Sequence, residues 1–78
     1  MEDPIETKYL VFELITGTEK TNTWQIMSKR TRGYLGIVQW YGPWRQYCFY
    51  PGSSTVWNID CLQDIQNFIG TEMEKRKK

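Results

Sequence analysis

The sequence predicts an α+β fold in which a four-stranded antiparallel meander is followed by one amphipathic C-terminal helix packed on one face. Three observations support this fold class. Segments between residues 8 and 50 alternate in polarity or are rich in β-branched and aromatic residues, as strands are. The dipeptide Gly42-Pro43 divides the longest of these segments, which is typical of a hairpin. After residue 58, apolar residues recur every three or four positions, which is helical spacing.

The chain has 78 residues, which is enough for one domain, and its net charge is +1. We expect a single domain over residues 1–78, with a loose segment at 1–7 and a frayed basic tail at 74–78. The acidic start lacks a signal-peptide pattern, and no apolar run has the length of a membrane span. The sequence therefore predicts a cytoplasmic protein that makes no membrane contact, and the small net charge offers no general attraction to nucleic acid.

The first two strands are predicted at residues 8–15 and 24–29, with a polar connection at 16–22 between them. A short basic loop, Lys29-Arg30-Thr31-Arg32-Gly33, follows the second strand and ends in a glycine that suits a hairpin. Side chains two residues apart share one face of a strand. The sets expected on one face are Leu10, Phe12 and Leu14 in the first strand, and Trp24, Ile26 and Ser28 in the second.

The central hairpin is predicted over Tyr34–Tyr41 and residues 44–50. A loop centred on Gly42-Pro43 places Arg45 opposite Trp40, where its guanidinium can lie on the indole or bridge to loop carbonyls. The same register pairs Val38 with Tyr47 and Gly36 with Phe49, all on one face. The other face carries Leu35, Ile37, Gln39, Tyr41, Trp44, Gln46, Cys48 and Tyr50. One helix can cover only one face, so the second face either meets a partner or remains an unusually apolar surface.

The helix is predicted to begin after Asn58 or Asp60, either of which can serve as N-cap. With Asp60 in that position, Gln63 has the spacing of a capping box. The cations at 75–78 suit the negative end of a helix dipole. The apolar stripe expected on the core contains Cys61, Leu62, Ile65, Phe68, Ile69 and Met73.

The residue types present exclude several kinds of active site. The chain has no histidine, which removes Ser-His and Cys-His catalysis and every histidine-containing metal site. Cys48 and Cys61 lack a metal-ligand spacing, and we expect two buried, reduced thiols, with a disulfide or a reactive thiol as the alternatives. Asp60 and Asp64 are expected to support the helix N-terminus. The sequence therefore predicts a protein that is not an enzyme and holds no cofactor.

The aromatic content of 15% favours protein binding, because Trp, Tyr and Arg dominate interface energetics. The predicted partner-binding residues are Tyr41, Trp44 and Tyr50 on the second sheet face, with Trp57 nearby and Arg30 and Arg32 assisting. An alternative is a single-stranded nucleic-acid site built from Arg30, Arg32, Tyr34 and Trp44. A third possibility is a structural subunit whose second face forms its own homodimer interface.

The stretch from Trp24 to Ile69 resembles a group of small phage and bacterial proteins of uncharacterised function. The residues that carry the resemblance are Trp24, Leu35, Gly36, Val38, Trp40, Tyr41, Trp44, Arg45, Tyr47, Phe49, Pro51, Cys61, Leu62, Asp64, Ile65, Phe68 and Ile69. By analogy, this origin implies a small inhibitor of bacterial immunity of the anti-CRISPR type. Such an inhibitor binds a host protein, a CRISPR-associated or other defence nuclease, and acts by steric occlusion.

Overall fold

The computed structural model describes residues 4–18 and 20–76, which form an antiparallel sheet and one long helix. The elements are β1 (Ile5–Glu6), β2 (Leu10–Gly17), β3 (Asn22–Ser28), β4 (Tyr34–Tyr41), β5 (Gln46–Pro51) and α1 (Ile59–Arg76). The spatial order β1-β2-β3-β4-β5 follows the chain, so each strand pairs with its sequence neighbours. The predicted α+β class, with an antiparallel sheet followed by a C-terminal helix, is confirmed.

The prediction of four strands is wrong, because the sheet has five. The additional strand, β1, lies within the segment predicted to be loose. A tight turn at Thr7 produces it: the Thr7 N–H donates to the Leu10 carbonyl at 2.9 Å, and the Leu10 N–H donates to Thr7 Oγ1 at 3.0 Å. The chain reverses there, and Ile5 comes to lie opposite Phe12. Residues 1–3 of the predicted loose segment lie outside the described residues.

The register between β4 and β5 differs by two residues from the predicted one. Val38 lies opposite Phe49, and Trp40 lies opposite Tyr47. The turn needs four residues, because Gly42–Trp44 forms a 3₁₀ turn and Arg45 follows in the left-handed region with φ 54°. A shift of two residues keeps side chains on their faces, so the predicted division is confirmed for residues 36–41 and 46–50. Leu35 was predicted on the face away from Val38 but packs against the core, because the pairing of β3 with β4 is irregular between Gly36 and Tyr34.

The sequence predicted that the Arg45 guanidinium can lie on the Trp40 indole, but a different arginine occupies that position. The guanidinium carbon of Arg76, in the last turn of α1, lies 4.0 Å from the Trp40 ring centroid. The Arg76 guanidinium also donates to the Lys20 carbonyl. These contacts anchor the end of α1, so residues 74–76 are helical where fraying was predicted. Lys77 and Lys78 lie outside the described residues.

The core lies between α1 and the sheet face that carries Val38. Phe68 of α1 stacks on Phe12 with centroids 4.2 Å apart and meets the Trp24 ring edge-on at 4.9 Å. These contacts hold the helix across β2 and β3. The buried cluster is Leu10, Phe12, Trp24, Ile26, Val38, Tyr47, Ile65 and Phe68.

The start of α1 and most of its apolar stripe agree with the sequence. Asn58 caps the helix, since its Oδ1 accepts the Cys61 N–H at 2.8 Å. Leu62 was predicted in the stripe but is 47% exposed. Glu72 is buried instead and accepts a 3.0 Å hydrogen bond from the Lys75 ammonium. An ion pair of this kind lets a carboxylate occupy a position that apolar periodicity does not predict.

Candidate functional site

The sheet face opposite α1 is called the open face, since no helix in the described part of the chain packs on it. Strand pairing sets its members, because directly opposed residues share a face. A hydrogen bond from Gln25 Nε2 to Met27 Sδ at 3.4 Å joins two of them. The open face contains Val11, Glu13, Thr23, Gln25, Met27, Ile37, Gln39, Tyr41, Cys48 and Tyr50, most of them half-buried by their neighbours in the sheet.

An aromatic cluster stands at one end of the open face. Tyr41 and Trp44 meet edge-to-face with ring centroids 5.1 Å apart. With Cys48, Phe49 and Tyr50 they line a shallow cavity of about 190 Å³. Trp44 follows Pro43 in the 3₁₀ turn and is 67% exposed. The cluster therefore presents a large indole, supported on one side by a neighbouring ring, to the solvent.

Three of the predicted partner-binding residues, Tyr41, Trp44 and Tyr50, are brought together in this cluster. Trp57 is not part of it. Its ring meets Phe49 edge-on at 4.7 Å among the residues packed against the core, and its Nε1 donates to Thr55 Oγ1 at 2.9 Å. Trp57 thus closes the core on the helix side of the sheet.

Arg30 and Arg32 lie at the opposite end of β4 from Trp44. They belong to the loop between β3 and β4, where the Arg32 N–H donates to the Ser28 carbonyl at 2.8 Å and φ of Arg32 is 64°. The eight residues of β4 separate the two ends by about 23 Å at the usual rise per residue. The arginines and the aromatic cluster therefore cannot contact the same small epitope.

Sequence reasoning missed a second group of exposed residues, next to the arginine loop. Val56 and Ile59 flank the start of α1 and are among the most exposed large apolar side chains of the described chain. Neither residue was among the predicted partner-binding residues. The helical spacing does indicate that Ile59 is exposed, because Ile59 is one turn before Leu62 and off the buried stripe formed by Ile65 and Phe68.

Cys61 lines a cavity at this end of the molecule, and its surroundings favour the thiol form. Burial raises the pKa of Cys61 above its usual value, and the carboxylates of Asp64 and Asp60 raise it further. A hydrogen bond with the Asn58 backbone acts in the opposite direction and lowers the Cys61 pKa. Cys48 and Cys61 are both free and half-buried, where full burial was predicted.

We expect Asp64→Asn to speed alkylation of Cys61 severalfold at neutral pH. The thiolate is the reacting species, and removal of a nearby negative charge lowers the thiol pKa and so raises the thiolate fraction. Iodoacetamide labelling followed by mass spectrometry, in a Cys48→Ser background, measures the rate. Glu13→Gln, a change on a distant strand, should leave the rate unaltered. An equal rate with and without Asp64 would contradict the electrostatic assignment.

Neither a metal-binding cluster nor a membrane-spanning helix is found in residues 4–18 and 20–76. No group of three or more His, Cys, Asp and Glu side chains is arranged to hold a metal ion in these ranges. Within the same ranges, no helix combines the length and apolar character needed to cross a membrane.

Comparison with known proteins identifies one relative over nearly the full chain. The sequence is 34% identical over 77 residues to the "Uncharacterized 9.3 kDa protein" of Acholeplasma phage L2, covering 97% of this chain and 99% of the phage protein. No protein-family model matches the chain. A search of solved structures likewise finds no match. The predicted kinship with small phage proteins is confirmed by this relative.

Proposed function

The chain belongs to the same family as the 9.3 kDa protein of Acholeplasma phage L2, and from this premise we propose that it is a non-enzymatic phage protein that binds a host protein through the open face. The target class that we propose is a bacterial defence nuclease, CRISPR-associated or of another kind. The protein would act by steric occlusion, covering a surface that the nuclease needs for its substrate or its catalytic movement.

The aromatic cluster is the observation that carries this proposal. A Trp side chain that is 67% exposed and supported edge-on by a Tyr ring has the composition and rigidity of an interface anchor. Tyr50 and the cavity of about 190 Å³ beside Trp44 offer a place for a partner side chain. The polar members of the open face, Gln25 and Gln39, supply hydrogen-bonding groups around the apolar ones.

The shape of the open face suits occlusion of a flat surface. A stable protein–protein interface buries about 800 Å² on each partner, which is a large share of the surface of so small a chain. Strands β3, β4 and β5 all contribute to the open face, and no described helix interrupts it. A partner that buries this face would therefore be covered by a rigid sheet rather than by a single loop.

The test is affinity capture from a bacterial lysate with four forms of the protein: wild type, Trp44→Ala, Tyr41→Ala and Tyr34→Ala. Tyr34 is a matched control, since it is an exposed aromatic residue at the other end of β4. We expect wild type and Tyr34→Ala to capture the same nuclease. Loss of Trp44 should weaken its binding about thirtyfold, as expected for an interface anchor worth about 2 kcal/mol.

Captured protein is then purified and its nuclease activity measured with increasing amounts of each variant. Inhibition by wild type that Trp44→Ala loses supports the occlusion mechanism. Capture that is insensitive to both Trp44→Ala and Tyr41→Ala would contradict the proposed face. A captured target that is not a nuclease would contradict the proposed target class but not the assignment of the open face as the binding surface.

The two alternatives from the sequence give different results in simple measurements. A nucleic-acid site would show salt-sensitive binding of labelled single-stranded oligonucleotides, weakened by Arg30→Ala and Arg32→Ala. The separation of about 23 Å between those arginines and Trp44 requires such a strand to follow the length of β4. A homodimer that uses the open face would appear as a concentration-dependent mass in sedimentation, abolished by Trp44→Ala or Tyr41→Ala.

A further inference from the structure

Three connections meet at the end of the sheet that lies farthest from Trp44. In an antiparallel meander, alternate connections lie at the same end, which here brings together residues 7–9, residues 29–33 and residues 52–58. The first turn of α1 follows directly. We call this region the basic end, and it comprises Lys8, Tyr9, Lys29, Arg30, Arg32, Tyr34, Val56, Ile59 and Leu62.

The aliphatic residues of the basic end project into solvent. Val56 is 92% exposed, Ile59 is 82% exposed, and Leu62 follows Ile59 by one helical turn. Single apolar residues on a surface need no explanation, whereas a contiguous exposed patch marks a contact site. Ile59 and Leu62 line one hollow, and Val56 precedes Ile59 by three positions. Leaving these side chains in water forgoes the free energy that burial of each would yield.

Cations flank Val56, whereas Ile59 and Leu62 line a neighbouring hollow together with Asp60. Lys8, Lys29 and Arg30 line the same cavity of about 360 Å³ as Val56, and the cavity opens between the sheet end and the start of α1. Lys29 is engaged by Glu6, with Nζ 3.2 Å from the carboxylate, and it also donates to the Thr7 carbonyl.

The remaining cations of the basic end are available to a ligand. None of the described residues forms an ion pair with Lys8, Arg30 or Arg32. The nearby carboxylate of Asp60 lies in the first turn of α1, where the positive end of the helix dipole offsets its charge, and Asp64 follows one turn later. The basic end therefore combines projecting aliphatic side chains with a local excess of positive charge.

We propose that the basic end docks on a lipid bilayer that contains anionic phospholipids. Val56 and Ile59 enter the boundary between headgroups and acyl chains, and Lys8, Arg30 and Arg32 contact the lipid phosphates. Tyr9 and Tyr34 are exposed at the same end, where aromatic rings with a polar tip suit the depth of the headgroups. This surface is separate from the open face and adds a second contact to the proposed function.

The exposure of the aliphatic residues favours a bilayer over an acidic protein as the occupant. A side chain that projects almost completely requires a matching pocket in a folded partner, whereas fluid lipid accommodates it without one. Mobile headgroups can also reach cations that are spread over two connections, at residues 7–9 and 29–33. The sequence predicted no membrane contact from a net charge of +1, but that value averages over ends that the fold keeps apart.

The separation of the two surfaces has a geometric consequence. The aromatic cluster and the basic end are at opposite ends of β4, about 23 Å apart. A protein held on a membrane by the basic end would therefore direct Trp44 away from the lipid, where a partner can reach it.

The experiment is flotation of the full chain with vesicles of phosphatidylcholine alone or mixed with phosphatidylglycerol, at about 0.1 M and about 1 M salt. Wild type should float with the anionic vesicles at low salt and be released at high salt. The double variant Val56→Gln/Ile59→Gln should lose binding about tenfold or more. Lys8→Glu/Arg30→Glu should lose it to a similar degree.

Ile15→Gln is the matched control, since Ile15 is a half-exposed aliphatic residue on β2 outside the basic end. It should bind vesicles as wild type does, and so should Trp44→Ala. Circular dichroism establishes that each variant is folded. The proposal is overturned if folded wild type ignores anionic vesicles, even if an acidic protein is found on this surface. Binding that Val56→Gln/Ile59→Gln leaves intact would overturn it as well.

Discussion

Phe68→Ala is expected to remove a large part of the protein's free energy of unfolding. Truncation of a buried Phe costs about 3–5 kcal/mol. Domains of this size have a total free energy of unfolding of about 4–12 kcal/mol. Phe68 stacks on Phe12 at 4.2 Å and meets Trp24 at 4.9 Å, so its loss opens the contact between the helix and two strands at once.

Thermal and urea unfolding measure this effect, with near-UV circular dichroism reporting on the packing of the aromatic residues. The melting temperature should fall by more than about 15 °C in a chain of this length. Leu62→Ala is the matched control on the same helix, and its exposed position predicts a change within about 0.5 kcal/mol. Equal losses in the two variants would show that the core does not depend on Phe68.

Gly36→Ala is the second change for which we expect a large loss, of about 3 kcal/mol. Gly36 lies in β4 between Ile26 of β3 and Pro51 of β5. A Cβ added there would lie 2.6 Å from the Tyr50 carbonyl oxygen and 2.9 Å from a Phe49 ring carbon. The carbonyl belongs to the backbone, so relief requires β4 and β5 to separate.

Gly70→Ala, the same substitution at another glycine, is expected to raise the stability of the protein. Nothing lies within 4 Å of a Cβ at Gly70, which is in the middle of α1. Alanine there should stabilise the protein by up to about 1 kcal/mol, because glycine is a poor helix former. Urea midpoints of both variants give the comparison. A neutral Gly36→Ala would mean that the close approach of β4 and β5 is not required.

Local patterns were sufficient for most of the elements. The run of β-branched and aromatic residues in Tyr34–Tyr41 predicted β4 with its observed bounds, and Asn58 was recognised as a possible cap. Alternation also grouped the side chains of each strand by face, because the side-chain period of two is a property of the strand itself. The structure places the face that carries Phe12, Trp24 and Val38 in the core.

Other features depended on contacts between distant segments. β1 has two residues and no pattern of its own, and it exists because the turn at Thr7 returns the chain to β2. The cation on Trp40 is Arg76, thirty-six positions along the chain, and this contact also keeps the last turn of α1 helical. Sequence spacing does not contain such pairings, which only the docked helix creates.

The candidate sites also combine features that the sequence predicted with features that depend on tertiary contacts. Composition and alternation were enough to predict that the sheet has a second apolar face with Tyr41, Trp44 and Tyr50 on it. Tertiary structure decided that Trp57 packs on Phe49 on the helix side and that Arg30 and Arg32 lie a strand's length from Trp44. It also decided that Val56 and Ile59 are exposed to solvent, with Val56 lining the same cavity as Lys8. The physical reason is that periodicity determines which side of an element a residue occupies, whereas its neighbours depend on how the elements dock.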